Sequence, residues 1–418
     1  MRRALLTCLL AATAVAVTAG PATAVPAEPA LAAPTAAGPT LAGFTLPRPT
    51  GPHPVGTTEL HLVQHGRADP WVPDQTRELM ISVWYPAQRS PRSPVAGYLP
   101  PDLADHYAEH PPLGLPAGRV DWRGVQTQAL TGAPVSGAGY PVVLYSPGVG
   151  VSRALGTVLV AELASRGYVV VTVDHTHETE VAFPGGRVEP TRVPFDQPDT
   201  DGQKSALLMD SRDQDIRFVL DQLTVLAAGG NPDAEQRRLP SGLGRALDMA
   251  NVGMFGHSGG GVTTGRVMYA DRRVDAGINM EGFLEFGNTR PENGVDRPIL
   301  MMGARSHEQQ PPLYGKPRTH LTDPSWATFW AHSTGWKLDL NVPDGRHYTF
   351  TDAQWFLPQL AGPLGIDNQA TIGTVDPVRI TAAERAYTAA FFDQHLKHRP
   401  QPLLTGPSAC YPDVSVIR

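Results

Sequence analysis

The chain has 418 residues, 41% hydrophobic and 18% charged, which is enough apolar material for one large or two ordinary domains and excludes a disordered tail or a small stapled scaffold. Its 34 Lys and Arg against 40 Asp and Glu leave a net charge of −6 with the basic residues scattered, so nothing supplies the concentrated positive field that nucleic-acid phosphates require. Two cysteines, Cys8 and Cys410, allow at most one bridge and exclude a disulfide framework.

The first residues read as an address. Arg2 and Arg3 make a positive start, residues 4–17 form an apolar stretch too short to span a bilayer, and Ala22-Thr23-Ala24 is a small-residue cleavage site. A signal peptide over residues 1–24 and a secreted protein are therefore expected; an uncleaved membrane anchor is the alternative, weakened by the Pro-rich run that follows. Ala30-Leu31-Ala32 is a second candidate cleavage site, and the arginine pair leaves the export route open. Cleavage removes Cys8, so the mature chain is expected to hold no internal bridge. Residues 25–43, rich in Ala and Pro, read as a linker, and a single folded domain is expected over residues 44–418.

Residues 55–63 and 77–85 read as two strands joined by a Pro/Asp-rich loop, an antiparallel edge pair. Beyond Gly139, short unbroken apolar runs at 141–146, 168–174, 252–255, 276–280, 298–303 and 337–342 are interleaved with helical spacing at 153–166 and 213–226. Runs without alternation suit strands buried on both faces. The order therefore predicts an α/β fold: a mostly parallel central sheet with antiparallel N-terminal edge strands and helices on both faces. A capping box, Thr381-Ala-Ala-Glu384, predicts that the last helix starts there and runs to about Leu396. The stretches 175–247 and 308–336 exceed simple connections and are expected to be insertions that shape a pocket or lid.

The chemistry concentrates at Asn251-Val-Gly-Met-Phe-Gly256-His257-Ser258-Gly259-Gly260-Gly261. A buried strand running into Gly-x-Ser-x-Gly and then a helix is a nucleophile elbow, where only glycines fit beside the strained serine. Ser258 is the expected nucleophile, and His257 is expected to pack in the turn. A serine at its free pKa needs a histidine to take its proton and an acid to orient that histidine, in the chain order Ser, acid, His. His347, after the strand at 337–342 and the turn Pro343-Asp-Gly-Arg346, is the expected base, with His307, His320 and His332 as competitors. Glu281 directly ends the strand at 276–280, at the carboxyl edge where open α/β sheets bind ligands, and is the expected acid; Glu308 is its rival, and Asp174 stands in the wrong chain order. The oxyanion hole is expected from the backbone N–H groups of Gly259 and Val149, the latter in the loop Ser146-Pro-Gly-Val-Gly150.

The sequence resembles the secreted or plasma type of platelet-activating factor acetylhydrolase over most of residues 44–400. The similarity is carried by Leu46-Pro-Arg-Pro-Thr-Gly-Pro-His-Pro-Val-Gly-Thr57, Val83-Trp-Tyr-Pro86, Ser146-Pro-Gly-Val-Gly150, Gly256-His-Ser-Gly-Gly260 and His347-Tyr-Thr-Phe-Thr-Asp352. It implies the α/β-hydrolase fold and a serine-dependent, calcium-independent phospholipase A2 activity, and it favours Glu281, which stands where that family's acid follows the strand after the elbow. This chain departs from the family in having Pro147 and Val149 in the oxyanion loop, Gly259 after the serine where a bulky residue is usual, and Glu in place of Asp as the acid.

The expected function is a secreted serine carboxylic-ester hydrolase that cleaves short acyl esters, including the sn-2 chain of such phospholipids, without a cofactor. A broad short-chain ester or polyester hydrolase and, in another class, a non-catalytic exported binding protein on the same scaffold are the alternatives. The expected partner is a small-molecule ester or phospholipid, with transient contact to a lipid surface and no obligate protein partner. Asp174-His175-Thr-His177-Glu178-Thr-Glu180 reads as a polar rim of the pocket or, less well, as a metal site. Trp326, Phe329, Trp330 and Trp336 read as acyl-pocket or lipid-contact residues, or as core.

Overall fold

The computed structural model describes residues 41–305 and 315–418. The expected leader at 1–24, nearly all of the expected linker, His307 and Glu308 lie outside the described residues. Ala42 already bridges Val120 and is buried, so the packed chain includes the last residues assigned to the linker.

β1 (Val55–Ala68) pairs antiparallel with β2 (Thr76–Pro86), Val55 opposite Pro86 and Val63 opposite Glu78. Two short strands that the sequence does not announce, β3 (Val95–Gly97) and β4 (Gln126–Thr131), flank α1 (Pro101–Glu109) and extend the sheet outward beyond β1. The N-terminal pair is antiparallel as expected, but it is not the outermost edge: β4 adds parallel to β1, and β3 antiparallel to β4. Then come β5 (Tyr140–Ser146), α2 (Thr157–Ser165), β6 (Val169–Val173), the hairpin of β7 (Val181–Phe183) and β8 (Arg187–Glu189), and α3 (Gln203–Ala227). A short α4 (Leu243–Ala246) leads into β9 (Leu247–His257), α5 (Gly259–Ala270), β10 (Ala276–Met280), β11 (Ile299–Ala304), α6 (Pro324–His332) and β12 (Lys337–Val342). The chain ends with α7 (Ala353–Leu364), α8 (Gln369–Ile372), α9 (Pro377–His395) and β13 (Ser415–Ile417).

Eleven strands form one sheet in the order β3-β4-β1-β2-β6-β5-β9-β10-β11-β12-β13, parallel from β6 to β12. Side chains alternate between its faces: Val142 and Leu144 pack with α3 and α6, Val143 and Tyr145 with α2 and α9. Both faces are covered, which is why the strands read as unbroken apolar runs; each fully buried Val or Leu contributes about 1.5–3 kcal/mol. β5 is followed on one side by β6 and on the other by β9, so the chain reverses direction across the sheet between β5 and β9 and leaves a crevice at their carboxyl ends.

Two helix starts differ from the sequence reading. α9 begins at Pro377 rather than Thr381, because the Asp376 carboxylate accepts the N–H of Arg379 at 2.8 Å and proline fits the first turn; Thr381 and Glu384 are buried inside the helix and cap nothing. α3 begins at Gln203 rather than near 213, where the Asp199 carboxylate takes the N–H groups of Lys204 and Ser205. The stretch at 175–247 thus contains the β7–β8 hairpin and a 25-residue helix packed on the sheet. Among the described residues no helix is long and apolar enough to cross a membrane.

Candidate active site

The parallel strands end at one edge, and four of the loops leaving that edge carry the residues that the sequence singled out. Register fixes the alignment: Ser146 lies beside Gly256, His257 beside Met280, Met280 beside Met302, and Ala304 beside Val342. Val149 follows β5, Ser258 follows β9, Glu281 follows β10 and His347 follows β12. Val149, Ser258, Gly259, Glu281 and His347 share one cavity of about 260 Å³.

Ser258 has φ 53° and ψ −121°, a conformation that an L-residue adopts only under constraint, and its N–H donates to Met280 O at 2.8 Å. The tight turn explains two glycines: a Cβ at Gly260 would lie 1.8 Å from Ser146 O, and one at Gly256 would lie 2.3 Å from the Gly260 carbonyl carbon. Glu281 is the second strained residue, with φ 59°, and its carboxylate is buried. One carboxylate oxygen accepts the Ala304 N–H at 2.5 Å; the other lies 3.4 Å from His347 Nδ1 and 3.7 Å from Arg318 Nε. Burial by itself would raise this carboxyl's pKa, but Arg318, His347 and the Ala304 N–H together hold it down to about 2. An ionised carboxylate only accepts, so His347 Nδ1 carries the hydrogen and Nε2 is left as the basic nitrogen.

His347 opens a single 3₁₀ turn, His347–Phe350, locked by reciprocal bonds between Arg346 and Thr349. His257 packs in the elbow and holds the base from behind: its Nε2–H donates to the His347 carbonyl at 2.7 Å. Burial and the neighbouring His347 push the His257 pKa down to about 3, so it is a neutral donor. Gly259 and Val149 meet closely; a Cβ on Gly259 would lie 2.6 Å from Val149 Cγ2 and 3.2 Å from Val149 N. Among the described residues neither the Val149 nor the Gly259 N–H finds an acceptor in the protein, which leaves two donors at the cavity wall beside Ser258.

The competing histidines are engaged elsewhere: His320 bonds Asp339 at 2.7 Å and stacks on Trp330, and His332 bonds the Thr328 carbonyl of its own helix. Asp174 is buried in an ion pair with Arg153. The segment 174–180 does not rim the pocket: His175 and Glu178 are buried and tied to the β5 loop through Ser146 and Arg212, His177 is buried beside Pro190, and among the described residues no group of His, Cys, Asp and Glu has metal-binding geometry. Of the four aromatics Trp326 and Phe329 are core, whereas Trp330 and Trp336 are partly buried against it. Trp326 is fully buried with its indole N–H on Gly282 O, Phe329 packs against the sheet, and Trp336 lies against α9.

Sequence reasoning missed Arg318, Phe283, Phe286 and Arg212. Phe283 and Phe286 line the cavity, and Arg318 lies 5.8 Å from the Phe283 ring centroid. Glu281-Gly-Phe-Leu-Glu-Phe286 placed both rings near the acid in sequence, and only their direction was hidden. Arg318 and Arg212 stand far along the chain from any motif.

The family model described as platelet-activating factor acetylhydrolase, isoform II matches residues 40–313. Among curated proteins, a probable 1-alkyl-2-acetylglycerophosphocholine esterase of Arthroderma benhamiae is 29% identical over 291 residues, covering 66% of this chain and 66% of its own length. A platelet-activating factor acetylhydrolase of Cavia porcellus is 24% identical over 176 residues, covering 38% of this chain and 39% of its own. The chain thus spans just under two thirds of the first of these relatives and about two fifths of the second. Among solved structures, a ferulic acid esterase from Streptomyces cinnamoneus superposes with a TM-score of 0.74 at 38% identity, covering 90% of this chain and 100% of that one. The architecture is that of the α/β hydrolases.

Proposed function

The chain belongs to the platelet-activating factor acetylhydrolase, isoform II family, and from that premise we propose that it is a carboxylic ester hydrolase working through Ser258, His347 and Glu281. The observation that carries this reading is Ser258, held at positive φ at the mouth of a cavity that it shares with a histidine whose Nδ1 faces a buried, ionised carboxylate. Ser258 Oγ adds to the ester carbonyl carbon while its proton passes to His347 Nε2, and the carbonyl π pair becomes an oxyanion facing the Val149 and Gly259 N–H groups. The carbon–oxygen bond to the alcohol then breaks, and the leaving oxygen takes the proton back from His347. Water repeats the sequence on the acyl-enzyme, so acid and alcohol leave and Ser258 regains its proton. Glu281 keeps His347 in the productive tautomer throughout. These steps need no cofactor.

Short acyl esters, including the sn-2 acetyl group of platelet-activating-factor-like phospholipids, are the substrates that the family and the small cavity favour. A second reading, an ester of an aromatic acid, is favoured by Phe283 and Phe286 in the cavity wall and by the 38% identity to a ferulic acid esterase. The leader at 1–24 supports export, and the N-terminal peptide of the purified mature protein, read by mass spectrometry, tests it. The activity is tested with p-nitrophenyl esters of increasing acyl length, an acetyl phospholipid and methyl ferulate. Ser258→Ala is expected to lose at least ~10³-fold in kcat. Equal turnover by wild type and Ser258→Ala would remove Ser258 from the mechanism, and absence of turnover by both would favour a binding protein on a hydrolase scaffold.

A further inference from the structure

We propose that Arg212 is a positioning residue of the oxyanion hole: from α3 it grips the outer side of the β5 loop and so aims the Val149 N–H into the cavity. This rests on the reading of Ser258 as the nucleophile.

Arg212 is buried with only 1% of its side chain exposed, and its guanidinium donates to two successive carbonyls of the loop, Pro147 O at 2.7 Å and Gly148 O at 2.9 Å. The peptide unit is planar and trans, so the C=O and N–H of one unit point in opposite directions. Holding the Gly148 carbonyl toward Arg212 therefore turns the Val149 N–H away from it, and Val149 lines the cavity with Ser258 and Gly259. The guanidinium also lies near the elbow: a Cβ on Gly259 would be 3.6 Å from Arg212 Nη1. A rigid planar fork suits this task, because two carbonyls are fixed by one group in one orientation.

The fork is itself anchored. The Glu178 carboxylate takes Arg212 Nε at 3.0 and 2.9 Å and Nη2 at 2.5 Å. This pairing neutralises the guanidinium, so Arg212 acts through geometry and adds little net field at the oxyanion. One turn along α3, Asp215 holds His175 at 2.9 Å, and His175 Nε2 reaches Ser146 Oγ at 3.0 Å at the root of the same loop. The loop needs such a brace because Gly148 and Gly150 give it little conformational preference of its own. The segment containing His175 and Glu178 thereby acquires a role beneath the pocket.

The test compares wild type, Ser258→Ala, Arg212→Gln and Arg212→Lys. Its readouts are p-nitrophenyl acetate kinetics, inhibition by a short alkyl trifluoromethyl ketone, and thermal unfolding. The ketone adds Ser258 Oγ at its carbonyl carbon, passes the serine proton to His347 and places its oxyanion in the hole, so its Ki reports the hole directly. Arg212→Gln is expected to lower kcat by ~10- to 100-fold, to leave KM within ~2-fold, and to raise the Ki by the same factor as kcat falls. Arg212→Lys, which keeps a cation beside Glu178 but can no longer present the fork, is expected to fall between, and it carries the same test if the glutamine variant does not fold. A folded Arg212 variant with wild-type kcat, or one whose kcat falls while the ketone binds unchanged, overturns the proposal. Full activity in Ser258→Ala overturns the underlying reading instead, so the two failures are distinguishable.

Discussion

Glu281 and Asp352 are both buried carboxyl groups, 1% and 2% exposed, each just before or after a turn that positions part of the site, and their surroundings push them in opposite directions. Burial raises both. At Glu281 this is outweighed by Arg318, by His347 and by the Ala304 N–H, and the pKa falls to about 2. Asp352 begins α7 and receives the Val158 N–H from the first turn of α2 at 3.0 Å, but Arg385, the cation that acts on it, donates to the carbonyls of Arg48 and Pro47, and Glu384 carries a second carboxyl nearby. There burial wins, and the Asp352 pKa rises to about 7. Depth alone therefore does not decide charge; the number and placement of cationic partners does. Glu281 is equipped to stay ionised beside a histidine, whereas Asp352 is equipped to tie the β12 side of the site to α2.

The largest break in this comparison is expected from Glu281→Gln. It keeps an acceptor for the Ala304 N–H but presents an amide to His347, and kcat on p-nitrophenyl acetate should fall by ~10²- to 10⁴-fold, while Asp352→Asn leaves it within ~2-fold. The second contrast is in stability against pH. A native Asp352 near 7 keeps a proton that the unfolded chain releases near 3.8, so its stabilising contribution is complete below about pH 4 and is lost as pH rises to 7. The slope over that window is about 1.4 kcal/mol per pH unit. Urea melts at pH 4–8 should show that slope in wild type and flatten in Asp352→Asn. Glu281 has the reverse sign: its contribution is present above about pH 4.5 and is lost as pH falls toward 2, so the acid limb of the same series should shrink in Glu281→Gln.

A smaller effect tests whether geometry as well as charge sets the site apart. Gly259→Ala drives a methyl into Val149 and should cost ~10-fold in kcat, with Val149→Ala in the same chain restoring part of it; an unaffected single variant would show that the two loops can separate freely. The smallest effect concerns the His175 network, whose side chains close on Arg77 and Arg212. Dialysis against EDTA is expected to leave kcat unchanged.

The elbow was legible because its chemistry is local: Gly256, Ser258 and Gly260 are adjacent in the chain, and the turn excludes every other residue at those glycines. Glu281 and His347 were legible as positions, one directly after a buried strand and the other one turn beyond the next but one. Their contact was not, because 66 residues separate them. The last helix starts four residues before Thr381 because Asp376-Pro377 fits a start as well as Thr381-Ala-Ala-Glu384 fits a capping box, and only burial decides between them. Trp326 and its neighbours carried no sign of which way they face. Arg212 and Arg318 could not be read at all, since an arginine in a helix or loop looks the same whether it meets water or a buried carboxylate.

The sequence by itself determined the class of fold, the strand-turn-helix that strains Ser258, the chain order of the catalytic candidates and the absence of a disulfide framework, because each follows from local sterics, periodicity or composition. Tertiary structure alone decided that Glu281 meets His347 and is charged, that Asp352 favours its proton, that Phe283 and Phe286 turn into the cavity and that Arg212 grips the loop after β5. Those outcomes depend on which groups from distant parts of the chain exclude water together, and desolvation and pairing are properties of that assembled neighbourhood rather than of any one residue.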